Sequence, residues 1–451
     1  MRRILRENAV CAFMASAGCA AMAWLGLYGF AWSDYEIEAK PAFEALAHGH
    51  ALRFLQLAPA YGGSLVERAP FALLPGLWGG GQLAVYRMVA VPCLLAAAAL
   101  GVWLCSRMRA EGRSTLARAL VVGICVANPL TLGALELGHP EEILGACLCV
   151  AAVVLASRNR PMWAGVLLGL AIANKEWALL AAGPVLLGLP SQTGTGRGPD
   201  LSRGRRSTLM CAASACVVTV LILAPLMLVS AGGFVASARA AAVPGGTLFQ
   251  PWQLWWFLGS HGALVHAAFG IALPGYRTGP TWTSTVSHPL IVVTGLGLVA
   301  ALWRQRRRAQ LAVDERSAML LLALVLLLRC MLDTWDTGYY MLPFAIALLA
   351  WESRGASRPP LLVLLGVVLP WLGLQELAQH GMSPDAQAAF FLVWTAPLAV
   401  WLGVRLFSVG PPERTPSFAR RDAARAREMT VAALDGQETT VSPLGRLVRT
   451  S

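Results

Sequence analysis

Four short polar stretches hold most of the chemistry-capable side chains of this sequence, and each lies where an apolar run ends. The first, Trp32-Ser33-Asp34-Tyr35-Glu36-Ile37-Glu38, follows an apolar run over about 9–31. A carboxylate there, Asp34 with Glu36 or Glu38 beside it, could be a general base that takes a proton from a hydroxyl. A solvated loop carboxylate is the plainer alternative. The second is Glu136-Leu-Gly-His139-Pro140-Glu141-Glu142. It could bind a sugar, supply a second carboxylate or hold a divalent cation with His139; equally, Glu141 and Glu142 suit the N-terminal turn of a helix. One histidine and scattered carboxylates form no dedicated metal set, so no cofactor is required and a divalent cation is unsupported.

The third stretch is Asn174-Lys175-Glu176-Trp177. A lysine at a membrane surface suits a phosphate as a point charge, or simply snorkels to the interface. The fourth, Asp333-Thr-Trp335-Asp336-Thr-Gly338-Tyr339-Tyr340, combines aromatic rings with carboxylates and hydroxyls. Such a mixture suits a carbohydrate or lipid headgroup, and an interfacial aromatic belt explains Trp335 and Tyr339 equally well.

The elements that must position these stretches are membrane spans. Of 451 residues, 57% are hydrophobic and 13% charged, with a mean hydropathy of +0.59. Soluble domains carry roughly a quarter charged residues, so the composition is that of a polytopic membrane protein. The net charge of +12 comes from bursts of arginine between apolar runs. That pattern belongs to cytoplasmic loops against lipid headgroups, and excludes nucleic acid as partner. The ten cysteines lie in apolar segments without a CxxC pair, which suggests neither a disulfide framework nor a thiolate metal site. Met1-Arg2-Arg3 and the long run behind it read as a retained signal anchor.

Apolar runs near 9–31, 82–105, 115–135, 141–157, 208–231, 286–303, 316–333, 338–352, 359–375 and 387–408 are candidate spans. Arginines at 2–6, 107–113, 158–160, 203–206, 304–308, 354–358 and after 405 mark the inside. The run 161–190 breaks this parity and carries Asn174-Lys175-Glu176 in its middle. Read as two short helices, about 161–173 and 177–190, it becomes a hairpin with Lys175 at the outer face. The fold class expected is an all-α polytopic membrane protein of about twelve transmembrane helices, one short hairpin included, with both termini cytoplasmic. Residues 1–410 form one membrane domain and 411–451 a disordered tail.

Within the first outer loop, 36–48 reads as an interfacial helix with Ile37, Phe43 and Leu46 on its apolar face. The loop 232–285 brings Trp252, Trp255, Trp256, Tyr276, Arg277 and Trp282, and its middle, Leu254–Leu273, is apolar enough for a re-entrant or interfacial element. All seven histidines and both lysines fall in or beside outer connections. A transporter would instead want ionisable groups near the midplane and an internal repeat.

In this setting the sequence resembles the multi-spanning, lipid-linked-sugar glycosyltransferases of the GT-C fold, in particular bacterial enzymes of the polyprenyl-phosphate-mannose type. The resemblance is carried by Asp34 after the first span, by Gly138-His139-Pro140-Glu141-Glu142, by the hairpin Ala164-Gly165…Gly169-Leu-Ala171…Asn174-Lys175, and by Asp336-Thr-Gly-Tyr339-Tyr340-Met-Leu-Pro343. It implies a GT-C-like transferase in the plasma membrane, active outward, moving a mannose-type hexose or pentose from a polyprenyl-phosphate donor. The acceptor would be a hydroxyl of an envelope glycan or lipid. It implies Asp34 as catalytic base, Lys175 with Arg277 at the donor phosphate, and Glu141, Glu142, His139, Tyr339 and Trp335 at donor or acceptor. His-Pro-Glu-Glu stands where many of these proteins have Gln or Asn after the glycine, so the second loop departs from the common pattern. The competing reading is a transporter or flippase of a lipid-linked or amphipathic solute.

Overall fold

The computed structural model describes residues 2–28, 34–58, 62–190, 201–242, 249–261, 274–355 and 359–408, which are almost wholly helical. The tail 411–451, Trp32, Ser33, His266 and the stretch 262–273 lie outside the described residues. The chain begins with α1 (Arg2–Tyr28), a π-helical turn (Tyr35–Ala39) and three short helices, α2 (Lys40–Ala47), α3 (Ala51–Leu57) and α4 (Gly63–Ala72). There follow α5 (Gln82–Ala110), α6 (Thr115–Val126), α7 (Pro129–Leu137), α8 (Glu141–Ser157) and α9 (Pro161–Asn174). A 3-10 turn (Glu176–Ala181) leads into α10 (Ala182–Gly188), then α11 (Leu201–Val229) and α12 (Ala231–Ala242). A ribbon of β1 (Ser260–His261) and β2 (Arg277–Thr278) precedes α13 (Thr281–Arg308) and α14 (Glu315–Leu332). The last helices are α15 (Leu342–Glu352), α16 (Leu361–Pro370), α17 (Leu377–Gln379) and α18 (Pro384–Phe407).

Breaks fall where local chemistry dictates. Asn128 caps α7 by accepting from the Thr131 N–H at 2.9 Å, and Pro129 takes the first helical position, where no N–H is needed. Ser114, Asp314 and Ser383 cap α6, α14 and α18 in the same way. Among the described residues, six stretches are long and apolar enough to cross a membrane: Gln82–Ala110, Thr115–Leu137, Gly204–Val229, Thr281–Arg308, Leu361–Gln379 and Pro384–Phe407. The protein is therefore a multi-pass, all-α membrane protein. The core lies along α8, α14 and α15, which are buried on nearly every side, while α11 and α13 leave most of their apolar surface open.

Contacts sort the connections into two ends. At one end Arg354 pairs with Glu111 (3.3 Å) and Glu315 (3.5 Å), and Arg158 and Arg107 both lie over the Trp103 ring. At the other end, one helix length away along α6–α7, His139, Asp34 and Lys175 meet. The arginine-bearing connections 103–113, 158 and 305–317 thus share an end that Asp34 does not. The expected hairpin is present: the helix breaks at Lys175, which is extended (φ −154°, ψ 135°). α10 then brings Gly188 back against Ser157 and Ala318. α9 and α11 run parallel, with Gly165 against Cys211 and Gly169 against Ala215. Either Cβ would strike a neighbouring carbonyl oxygen, at 2.2 and 2.6 Å, so the close crossing depends on the Gly-x-x-x-Gly spacing.

One local expectation is corrected. The buried face of 35–47 is Tyr35, Ala39, Ala42 and Phe43, whereas Ile37 is 61% exposed. The π-helical turn changes the phase that a continuous α-helix would have, because it advances more residues per turn. Of the stretch 254–273 only 254–261 is described, as a 3-10 turn (Trp256–Leu258) and β1, so the expected re-entrant or interfacial element lies largely outside the described residues. In addition, the sulfurs of Cys11 and Cys105 are paired where α1 crosses α5, which cysteine spacing had not suggested.

Candidate active site

The site begins with a glycine. Gly138 closes α7 at φ +94°, a conformation only glycine adopts cheaply, and a Cβ there would lie 2.7 Å from the Tyr35 backbone nitrogen. This close approach docks the first loop onto the second. Tyr35 also packs on Tyr86, with ring centroids 4.6 Å apart, and the Tyr86 hydroxyl donates to the Leu135 carbonyl. Asp34, one residue earlier, is thereby held over His139, its Oδ2 3.2 Å from Nε2.

The other imidazole nitrogen, Nδ1, lies 2.8 Å from Glu141 Oε1. Two carboxylates on opposite ring nitrogens both require a donor, so the ring must carry both protons. Burial opposes that charge, but the hydrogen bonds to Asp34 and Glu141 outweigh it and push His139 up to about 9. Glu141, 3% exposed, also takes Lys175 Nζ at 3.3 Å and an Arg68 guanidinium nitrogen at 3.0 Å. Lys175 reaches Glu142 at 3.8 Å. Burial disfavours the Lys175 ammonium, yet Glu141 and Glu142 more than compensate and hold it firmly protonated. Asn174 donates to the Glu141 carbonyl at 2.8 Å and ties the hairpin tip to α8.

Asp34, His139, Glu141, Glu142 and Lys175 are thus joined in one continuous cluster, and Tyr339 belongs to it by stacking on His139 at 4.8 Å. Trp335 sits nearby in sequence, half-buried, its backbone N–H donating to the Asp333 carboxylate at 3.1 Å. Arg277 is engaged elsewhere: it grips Asp385 through two nitrogens at 2.8 and 2.9 Å, alongside Trp256 and His261. Sequence reasoning missed Arg68, which is 2% exposed and anchored by donating to the Ser64 carbonyl at 3.0 Å. A signal existed, since an arginine in a loop that the charge pattern reads as outer runs against the positive-inside bias. It also missed Arg329, buried between the Trp177 and Tyr340 rings at 5.4 and 4.6 Å. Among the described residues no group of three or more His, Cys, Asp or Glu is arranged to hold a metal ion. The cluster's carboxylates are turned to Arg68, Lys175 and His139 instead.

The half-exposed Asp34 carboxylate is thus held by an imidazole over buried cations at one end of a multi-pass helical bundle. The chain belongs to glycosyltransferase family 87, whose model matches residues 63–331, and is accordingly a membrane glycosyltransferase. The match runs from α4 to α14, so it contains Arg68, His139, Glu141, Glu142 and Lys175 but neither Asp34 nor Tyr339. No curated protein matches the chain.

Proposed function

We infer that the chain moves one sugar, a mannose-type hexose or pentose, from a polyprenyl-phosphate donor to a hydroxyl of an envelope glycan or lipid, with inversion. The observation that carries this reading is Asp34. Its side chain remains 38% exposed while His139 orients it, beside a cleft that Arg68 and Glu141 also line. The acceptor hydroxyl gives its proton to Asp34 as its oxygen bonds to the anomeric carbon from the face opposite the phosphate. The bond from that carbon to the phosphate oxygen breaks, and its electron pair leaves with polyprenyl phosphate. Phosphate is a good leaving group and needs no proton from an acid. Its growing negative charge is met by Lys175 with Arg68 behind it. Lys175 reaches it by exchanging one of its two carboxylates for phosphate. Arg277 would add a second contact only if the donor drew it from Asp385.

Glu142, Tyr339 and Trp335 then serve as sugar contacts, and no step calls for a metal ion. About twelve crossings, cytoplasmic termini and an outward site in the plasma membrane complete this reading, and its sidedness is supported by the arginine-bearing connections at the end remote from Asp34. Membranes containing the chain, incubated with a panel of radiolabelled polyprenyl-phosphate sugars, should yield labelled glycan or lipid. Asp34→Asn should stop turnover with expression intact; near-normal transfer by that variant would sink the assignment.

A further inference from the structure

A second polar cluster lies under the loop that precedes β1. Asp336 is wholly buried, and neither carboxyl oxygen accepts a well-formed hydrogen bond, although the Thr337 N–H favours its charge. Burial, reinforced by Asp333, drives this carboxyl well above the usual range. Gln253, also wholly buried, donates to the Gln250 and Thr334 carbonyls at 2.9 and 3.3 Å, yet its Oε1 lacks a partner. The hydroxyl of Thr334 is unpaired in the same segment. Buried polar atoms without partners are uncommon because each forfeits its hydration without replacement. Asp336, Thr334 and Gln253 bring such atoms together at the end of α14, where Gln253 bonds the Thr334 carbonyl.

We propose that Asp336, with Gln253 and the Thr334 hydroxyl beside it, binds the hydroxyls of a sugar ring and sets sugar specificity. The orphaned atoms are a carboxyl, an amide oxygen and a hydroxyl, which together accept and donate as neighbouring sugar hydroxyls require. The position fits, because Tyr339, three residues on, stacks on the imidazole that holds Asp34. The cover is local: the Leu254 N–H and Trp255 indole N–H donate to the Met331 and Leu332 carbonyls, both at 2.7 Å. Entry therefore requires the segment Gln250–Trp255 to lift from the end of α14. That the sugar belongs to a transferred donor or its acceptor rests on the function proposed above; the binding itself does not.

The test uses the full-length chain in detergent with methyl glycosides of common hexoses and pentoses, read by thermal unfolding. At least one glycoside should raise the wild-type midpoint saturably. Asp336→Leu should be no less stable without sugar, because it removes an unsatisfied buried group, and should bind that glycoside about ten- to a hundredfold more weakly. Protection by none of the glycosides, equal protection of the variant, or protection by a divalent cation that Asp336→Leu abolishes would each overturn the proposal. Transfer assays separate the two readings. A chain that binds a glycoside through Asp336 but transfers no sugar leaves this site standing and removes the donor reading. Normal transfer and unchanged sugar preference in Asp336→Leu remove the site and leave the donor reading.

Discussion

The imidazole between Asp34 and Glu141 decides how each of the three can behave. With both nitrogens protonated, His139 holds Asp34 in place and adds a positive charge that Glu141 must share with Arg68 and Lys175. Asp34→Asn keeps the shape but cannot take a proton, so turnover should fall by about 10²–10⁴-fold while donor still binds. Glu141→Gln removes the carboxylate shared by three buried cations. It should lower stability by about 3–5 kcal/mol, measured as a drop in unfolding midpoint in detergent. Arg68→Leu should partly restore it in the double variant, because the stranded charge is then gone. The pH dependence has a definite sign. His139 stands at about 9 in the folded chain against 6.5 for an ordinary imidazole. Its stabilisation is therefore complete below 6.5 and lost as pH rises through about 9. Unfolding midpoints should decline over that window in the wild type, and the decline should flatten in His139→Gln.

At the scale of elements, two glycine-dependent contacts bring the charges together. Gly138 lets the first loop touch the end of α7, and Gly165 with Gly169 lets α9 lie against α11. Gly138→Ala places a Cβ 2.7 Å from Tyr35 at a positive φ. The left-handed conformation alone costs about 1–2 kcal/mol, and relief by backing away would draw Asp34 off His139. Activity should therefore fall further than stability, which a side-by-side transfer assay and thermal melt would reveal. Equal losses would mean that the contact only holds the fold. The hairpin has a similar role: it carries Asn174 to the Glu141 carbonyl and Lys175 to the Glu141 side chain.

For the whole molecule, the two ends of the bundle carry different chemistry, with arginine-bearing connections at one and the Asp34 cluster at the other. A cysteine at the exposed positions Glu176 or Ser114, in a background without native cysteines, should react with a membrane-impermeant reagent oppositely in intact cells. Labelling at 176 from outside and at 114 only after permeabilisation is expected. The reverse pattern would place the site in the cytoplasm and end the extracytoplasmic reading.

Composition and charge spacing alone determined that this is a helical, multi-pass membrane protein, and where its runs begin. Lipid imposes length and apolarity on each crossing, and arginine marks its side, so both signals are local. The break at Lys175 was legible for the same reason, since a charged triplet is too costly in mid-membrane. Asp34, His139, Glu141 and Lys175 were recognisable as reactive types, yet nothing local said that they touch. Only the tertiary structure decided that Arg68 joins them, that Arg277 pairs with Asp385 instead, and that Asp336 is buried with its carboxyl oxygens unpaired. Those outcomes depend on which loops the helix packing brings to one end, and on a π-helical turn that shifted the phase of the first loop. Pairings across 30 to more than 100 residues leave no trace in the spacing of either partner.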